Sequence, residues 1–254
     1  MGLTPQQAER YRRQLLLPQI GPAGQRRLLG GSVLVIGAGG LGSPCALYLA
    51  AAGVGTIGIA DGDRVALGNL QRQLLYTTAE LGRPKAEAAA AALELLNPAV
   101  TVRPYQTYLG REEVAALAGE YDFLIDAADG LGTKLMIADA CTAAGRPCCH
   151  GGVGGWLGQV TTCLPRDGNC YRCLFGAGRQ AGPPQGVLGP LCGVVGSVMA
   201  AEAVKYLTGA GELLARQVLS VDLLRGGTET IAFCKKRAGG RCPPGCGPTR
   251  KDEG

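Results

Sequence analysis

Apolar residues come along this chain in short runs separated by glycine, and the runs alternate with longer Ala/Leu-rich stretches. Val33-Leu34-Val35-Ile36, lying between Gly31 and Gly37, is a continuous apolar run of strand length, the pattern of a central parallel strand buried on both faces. Ser43 to Ala52 reads as a helix, and Thr56 to Ala60 as a second strand closed by Asp61. Lys85 to Leu96 is an Ala-rich helix stopped by Asn97-Pro98, followed by a strand from Val100 to Tyr105. A helix over Glu112 to Ala118, a strand over Phe123 to Ile125, a helix over Leu135 to Ala144 and a strand starting at Pro147 to Cys149 complete the first 150 residues. Upstream, Thr4-Pro5 opens a helix running to about Leu17, and a short basic helix ends at Gly30-Gly31. The strand–helix alternation predicts an α/β fold, Rossmann-like and doubly wound, with a mostly parallel sheet.

From Gly151 the pattern changes. Gln159 to Leu164 is strand-like, residues 176–189 form a loop rich in Gly and Pro, and Pro190 to Leu207 is a long helix. Gln217 to Leu223 and Thr228 to Phe233 are two further strands before a basic tail. These strands predict an antiparallel extension of the same sheet, so that residues 1–254 form one domain with halves 1–150 and 151–254.

Composition narrows the chemistry. The 254 residues include 42 Gly, 11 Cys and a single His, which excludes a His-based catalytic triad or a His-rich metal site. The net charge of +5 is spread along the chain, which favours an anionic small ligand over nucleic acid. An odd number of Cys and a polar N-terminus without an apolar signal core imply a reduced, cytoplasmic protein. The apolar stretches Cys45 to Gly55 and Leu191 to Ala201 fall short of the roughly 20 residues of a membrane span. The Cys then read as buried small residues, metal ligands or redox groups.

The turn after the first strand is Gly37-Ala38-Gly39-Gly40-Leu41-Gly42. Gly37 permits a sharp turn, Gly39 removes a side chain where backbone meets phosphate, and Gly42 lets the helix pack close to the strand. Asp61, about twenty positions further on, stands where a carboxylate accepts hydrogen bonds from ribose hydroxyls. To this point NAD, FAD and ATP fit equally. Arg72 and Lys85 favour ATP, because cleaving a triphosphate needs several cations on the phosphates. Asp126-x-x-Asp129 closes the strand at Phe123 to Ile125, on the carboxyl edge of the sheet, where a carboxylate suits Mg²⁺. Cys170-x-x-Cys173 and Cys242-x-x-x-Cys246 are two close pairs that can supply four thiolates to zinc.

Arg10-Tyr11-x-Arg13-Gln14, the glycine turn, Asp61-x-Asp63, Asn69 to Gln73, Lys85, Asp126-x-x-Asp129, Gly158-Gln159 and Cys170-x-x-Cys173 occur in the order seen in MoeB, ThiF and HesA. The chain resembles that family, the bacterial relatives of ubiquitin-activating enzymes, from Arg10 to Cys246. The resemblance implies ATP-dependent adenylation of the C-terminal Gly-Gly carboxylate of a ubiquitin-like sulfur carrier, similar to MoaD or ThiS. It implies that Gly39 and Gly40 approach the nucleotide and that Asp61 holds the ribose. Asn69, Arg72 and Lys85 would contact the phosphates, and Asp129 would bind Mg²⁺. Arg13 would reach the active site of a second subunit in a homodimer, and the four Cys would form a zinc clamp on the tail. With no rhodanese-like extension in the sequence, sulfur would come from a separate donor such as a cysteine desulfurase or a rhodanese-like protein.

Four positions depart from the family. Gly182 stands where many relatives carry the crossover-loop Cys, so no thioester is expected there. Gly130, Lys134 and Ala138 replace the usual Asn, Arg and Asn and are expected to surround the nucleotide or metal. These departures leave room for a relative acting on tRNA or a small molecule, similar to threonylcarbamoyladenosine dehydratases, or for a non-catalytic carrier-binding scaffold.

Overall fold

A computed structural model describes residues 2–165, 171–176 and 186–233. The N-terminal segment forms two short helices, α1 (Pro5–Arg10) and α2 (Arg12–Leu15), then α3 (Gly21–Gly30). Thr4 caps α1, with its Oγ1 accepting from the Gln7 amide while the Gln7 side chain accepts from the Thr4 amide. The single helix expected to run to Leu17 is broken at Tyr11, whose ring is 2% exposed and whose hydroxyl accepts from the Asn97 amide at 2.9 Å. Anchoring that ring redirects the chain.

The sheet comprises β1 (Ser32–Ile36), β2 (Thr56–Ala60), β3 (Thr101–Tyr105), β4 (Phe123–Asp126), β5 (Cys148–Gly154), β6 (Leu157–Cys163), β7 (Gln217–Asp222) and β8 (Gly227–Ala232). Their order is β3-β2-β1-β4-β5-β6-β7-β8. β1 to β5 pair in parallel, and β6, β7 and β8 add antiparallel, as the sequence implied. All eight strands belong to one sheet across the described residues.

The helices α4 (Gly42–Ala52), α5 (Lys85–Leu96), α6 (Arg111–Ala118), α7 (Leu131–Ala143) and α9 (Gly189–Thr208) cover the sheet, with a short α8 (Tyr171–Phe175) beside α7. Side chains of β1 alternate: Val33 and Val35 pack with Leu28, Leu49, Phe123 and Met199 on one face. Leu34 and Ile36 pack with Val114, Tyr121 and Ile137 on the other. Burial on both faces, worth about 1.5–3 kcal/mol per large aliphatic side chain, is why β1 reads as an unbroken apolar run. α9 is long and apolar enough to cross a membrane by length and composition alone, yet Leu191, Val195, Met199 and Ala203 on it are fully buried in this core. Cys45, Cys141, Cys148, Cys149, Cys163 and Cys192 are all buried thiols, as the first of the three cysteine readings expects.

Candidate nucleotide site

Strand order reverses between β1 and β4, whose neighbours run outward in opposite directions, and ligands of open α/β sheets collect outside the carboxyl ends of strands at such a point. A cavity of about 460 Å³ lies there, within the range of small-molecule sites. Its inner edge is the glycine turn. Gly37 has φ +99°, and a Cβ on it would fall 2.7 Å from the Ala127 carbonyl oxygen. A Cβ on Gly42 would fall 1.8 Å from the Gly37 carbonyl oxygen. Gly37 is therefore required by the close approach of the turn to the chain leaving β4, and Gly42 by that of α4 to the turn. Among the described residues no side chain caps the start of α4, so its positive end faces the turn uncapped and suits an anion.

Asp61 and Asp63 wall the cavity beside that turn. Asp61 accepts from the Ala38 amide and the Asp63 amide, each at 2.8 Å, and so fixes the turn itself. Asp63 accepts from Lys85 Nζ at 3.0 Å and from the Tyr108 hydroxyl. Those two donors, the phenol first, hold the Asp63 carboxyl below the ordinary aspartate range. Lys85 is 3% exposed, and its ammonium is carried into the cavity by the first turn of α5. Gln73 also lines the cavity; its Oε1 is buried without a partner among the described residues, a polar atom that a ligand donor would satisfy.

Asn69 lies one layer behind, its carbonyl accepting from the Arg72 and Gln73 amides at 3.1 and 3.0 Å. Arg72 donates to the Gly68 carbonyl at 3.2 Å, and its side-chain methylenes lie 3.4 Å from where a Gly40 Cβ would be. Cys192 closes the same spot, with its Sγ 3.0 Å from that position. Burial pushes the Cys192 thiol up, which suits the packing role expected of it. Gly40 is thus held against Arg72 and the start of α9.

Asp129 is exposed on the far wall and makes no hydrogen bond or ion pair among the described residues. A carboxylate facing this cavity fits a hard divalent cation completed by substrate oxygens. Among the described residues no three His, Cys, Asp or Glu converge to form a self-sufficient metal site. Asp126 has a different place from the one its motif suggests. Fully buried, it accepts from Lys134 Nζ at 3.3 Å, the Ala128 amide at 3.1 Å and His150 Nδ1 at 2.8 Å. Burial opposes its charge, but Lys134 and His150 hold its carboxyl below the ordinary range.

Gly130, Lys134 and Ala138, expected around the nucleotide or the metal, are not among the residues that line this cavity. On α7 it is Thr133 and Met136 that line the cavity. Lys134 turns inward to Asp126, and Ala138 packs with Leu135, Cys163 and Tyr171. The reason is helical: successive residues of α7 point to different faces, and the polar one finds the buried carboxylate. Gly130, Lys134, Gly152, Gln159, Tyr171 and Ser220 instead border a second concavity of about 490 Å³ over β5, β6 and β7. The segment Ala127 to Met136 therefore borders both hollows.

Arg13 is exposed on α2. Its neighbour Gln14 bonds the Ala52 carbonyl at the C-terminal end of α4, about 16 Å along that helix from the glycine turn, so the fold does not bring Arg13 to the cavity of its own chain. Cys170, Cys242, Cys246 and Gly182 lie outside the described residues, and Cys173 falls within α8. Tyr108, which motif reading passes over, joins the cavity from the β3–α6 connection.

A parallel sheet with this switch-point cavity, glycine turn, paired acids and buried lysine defines a nucleotide-binding α/β protein. Residues 11–243 match the ThiF family, and the chain belongs to it. It is 42% identical over 267 residues to the sulfur carrier protein adenylyltransferase of Thermus thermophilus, covering 99% of this chain and 96% of that protein. It is 40% identical over 248 residues to the SAMP-activating enzyme E1 of Haloferax volcanii, covering 96% of this chain and 90% of that one. The crystal structure of E. coli MccB with MccA-N7isoASN superposes with a TM-score of 0.83 at 20% identity, over 94% of this chain and 75% of that one, and shares the fold.

Proposed function

We propose that this protein is an adenylyltransferase that activates the C-terminal Gly-Gly carboxylate of a ubiquitin-like sulfur carrier with ATP. The observation that carries the reading is the convergence of Lys85, Asp61 and Asp129 on one cavity, in a chain 42% identical to a sulfur carrier protein adenylyltransferase over nearly its whole length. A carboxylate oxygen of the carrier attacks the α-phosphate, the bond to the β-phosphate oxygen breaks, and pyrophosphate leaves with the electron pair. The acyl-adenylate then awaits a sulfur nucleophile from a separate donor, a cysteine desulfurase or rhodanese-like protein.

The glycine turn carries the phosphates, with Asp61 at the ribose and Lys85 and Arg72 at the β- and γ-phosphates. Cations there stabilise charge as it moves onto the leaving group, and the carboxylate nucleophile needs no general base. Asp129 would hold Mg²⁺, which when bound neutralises phosphate charge. The concavity over β5 to β7 suits the extended Gly-Gly tail, because its floor includes Gly152, Gly154 and Gly158 and it meets the cavity at the α7 start. Arg13 acts in the site of the second subunit of a homodimer, Cys170, Cys173, Cys242 and Cys246 hold zinc, and the enzyme works in the cytoplasm. Transfer proceeds without a crossover-loop thioester, since position 182 is Gly.

Exchange of labelled pyrophosphate into ATP tests the reaction. It should require a Gly-Gly-terminated carrier and Mg²⁺ and should fall at least a hundredfold in Asp129→Ala. Exchange that proceeds without carrier, or survives that substitution, refutes the assignment.

A further inference from the structure

Tyr108 lies between β3 and α6, and its ring is 72% exposed, yet it is fixed at two points. Its hydroxyl donates to Asp63. One edge of the ring, Cγ, Cδ2 and Cε2, lies so close over Gly62 that a Cβ there would fall 2.5 to 2.8 Å from it. An exposed tyrosine held this way contributes little to the core, while its entropy of ordering has already been lost before a ligand arrives. Tyr108 borders the cavity, beside Thr107 and Leu109.

Strand order indicates which part of a nucleotide would meet it. The glycine turn leaves β1, Asp61 ends β2, and Tyr108 follows β3, and these strands are neighbours in the order β3-β2-β1. Strands are about 4.8 Å apart, so phosphate on the turn and ribose at Asp61 set the base one step further on, at Tyr108. We propose that Tyr108 is a nucleotide-positioning residue, its ring forming the wall on which the base stacks and its phenol holding that wall upright through Asp63. The inference rests on the nucleotide reading of the cavity and is independent of which acceptor is adenylated.

Calorimetric titration of the wild-type protein, Tyr108→Phe and Tyr108→Leu with MgATP and with magnesium tripolyphosphate tests it. Stacking of a base on an aromatic ring is worth enough that Tyr108→Leu should weaken ATP binding about tenfold. Tyr108→Phe, which keeps the ring, should lose about threefold or less. Tripolyphosphate, which has no base, should bind all three proteins within about twofold, a pattern that a merely structural role would not produce. Equal ATP affinity in wild type and Tyr108→Leu, equal losses in the Phe and Leu variants, or a parallel fall in tripolyphosphate binding each overturns the stacking role and leaves the nucleotide reading standing. Failure of the wild-type protein to bind ATP overturns both.

Discussion

Replacing Asp126 by Asn separates the two jobs a buried carboxylate does. Asp126 is 0% exposed, and its two oxygens receive Lys134, His150 and the Ala128 amide. An Asn there keeps one acceptor but loses the charge, and its amide nitrogen has no lone pair to offer Lys134 or the imidazole. Lys134, whose side chain is 9% exposed, is then a buried ammonium without a counterion. Breaking a buried pair from one side costs about 3–5 kcal/mol. Removing the ammonium as well, in Asp126→Asn with Lys134→Met, replaces both charges and should recover a large part of that loss, giving a coupling energy of about 1–3 kcal/mol. Urea unfolding of the four proteins of the cycle measures both quantities from midpoint shifts at unchanged slope. Additive losses, or a single-variant loss below about 1 kcal/mol, would mean that the Lys134–Asp126 contact carries no net charge coupling. The same pair has a pH signature. The Asp126 carboxyl is depressed in the fold, so its contribution is complete above the unfolded aspartate pKa and fades as pH falls through the lower folded value.

Glycines of the nucleotide turn should divide by the space around them. Gly42→Ala drives a methyl into the Gly37 carbonyl and should cost about 3 kcal/mol or more in urea unfolding. Gly39→Ala meets only the Gln73 amide at an ordinary 3.6 Å, so it should change stability by no more than about 1 kcal/mol while weakening ATP binding measured by calorimetry. A Gly42→Ala protein as stable as wild type would contradict the packing described. Carboxyl NMR titration should find Asp63 with a midpoint below that of an ordinary aspartate, and Tyr108→Phe should move it upward, because the phenol is the largest of its stabilising contacts. An unmoved midpoint would mean that the Tyr108 bond is not formed in solution.

The parallel core was legible because β1, β2 and β4 are buried almost end to end and the turn demands glycines at fixed places. Lys85 and Asp61 were legible for the same reason, since each sits at the end of a recognisable element. What escaped depended on contacts distant in sequence. The break at Tyr11 follows from a hydrogen bond to Asn97, and α7 begins at Leu131 instead of Leu135, because Gly130, at φ +81°, leads the chain directly into the helix. β5 continues to Gly154 through a glycine-rich stretch with little strand propensity, held by its pairing with β6. Lys134 stood out only as a replaced family position and His150 had no motif; the fold joins them to Asp126, one from α7 and one from the neighbouring strand β5. Tyr108 sits in a connection whose composition announces nothing, and its significance comes from the strand order beneath it.

The start of α7 borders two hollows at once: Asp129, Thr133 and Met136 face the nucleotide cavity, while Gly130, Leu131 and Lys134 face the concavity over β5 to β7. An occupant of either hollow that shifted this single turn of helix would alter the wall of the other, with no relay of intervening side chains. Each of these residues faces one hollow only, but all share one turn of helix, so a substitution that shifts that turn would disturb both sides. Clean separation requires positions off that turn, Tyr108 on the nucleotide side and Tyr171 on the other.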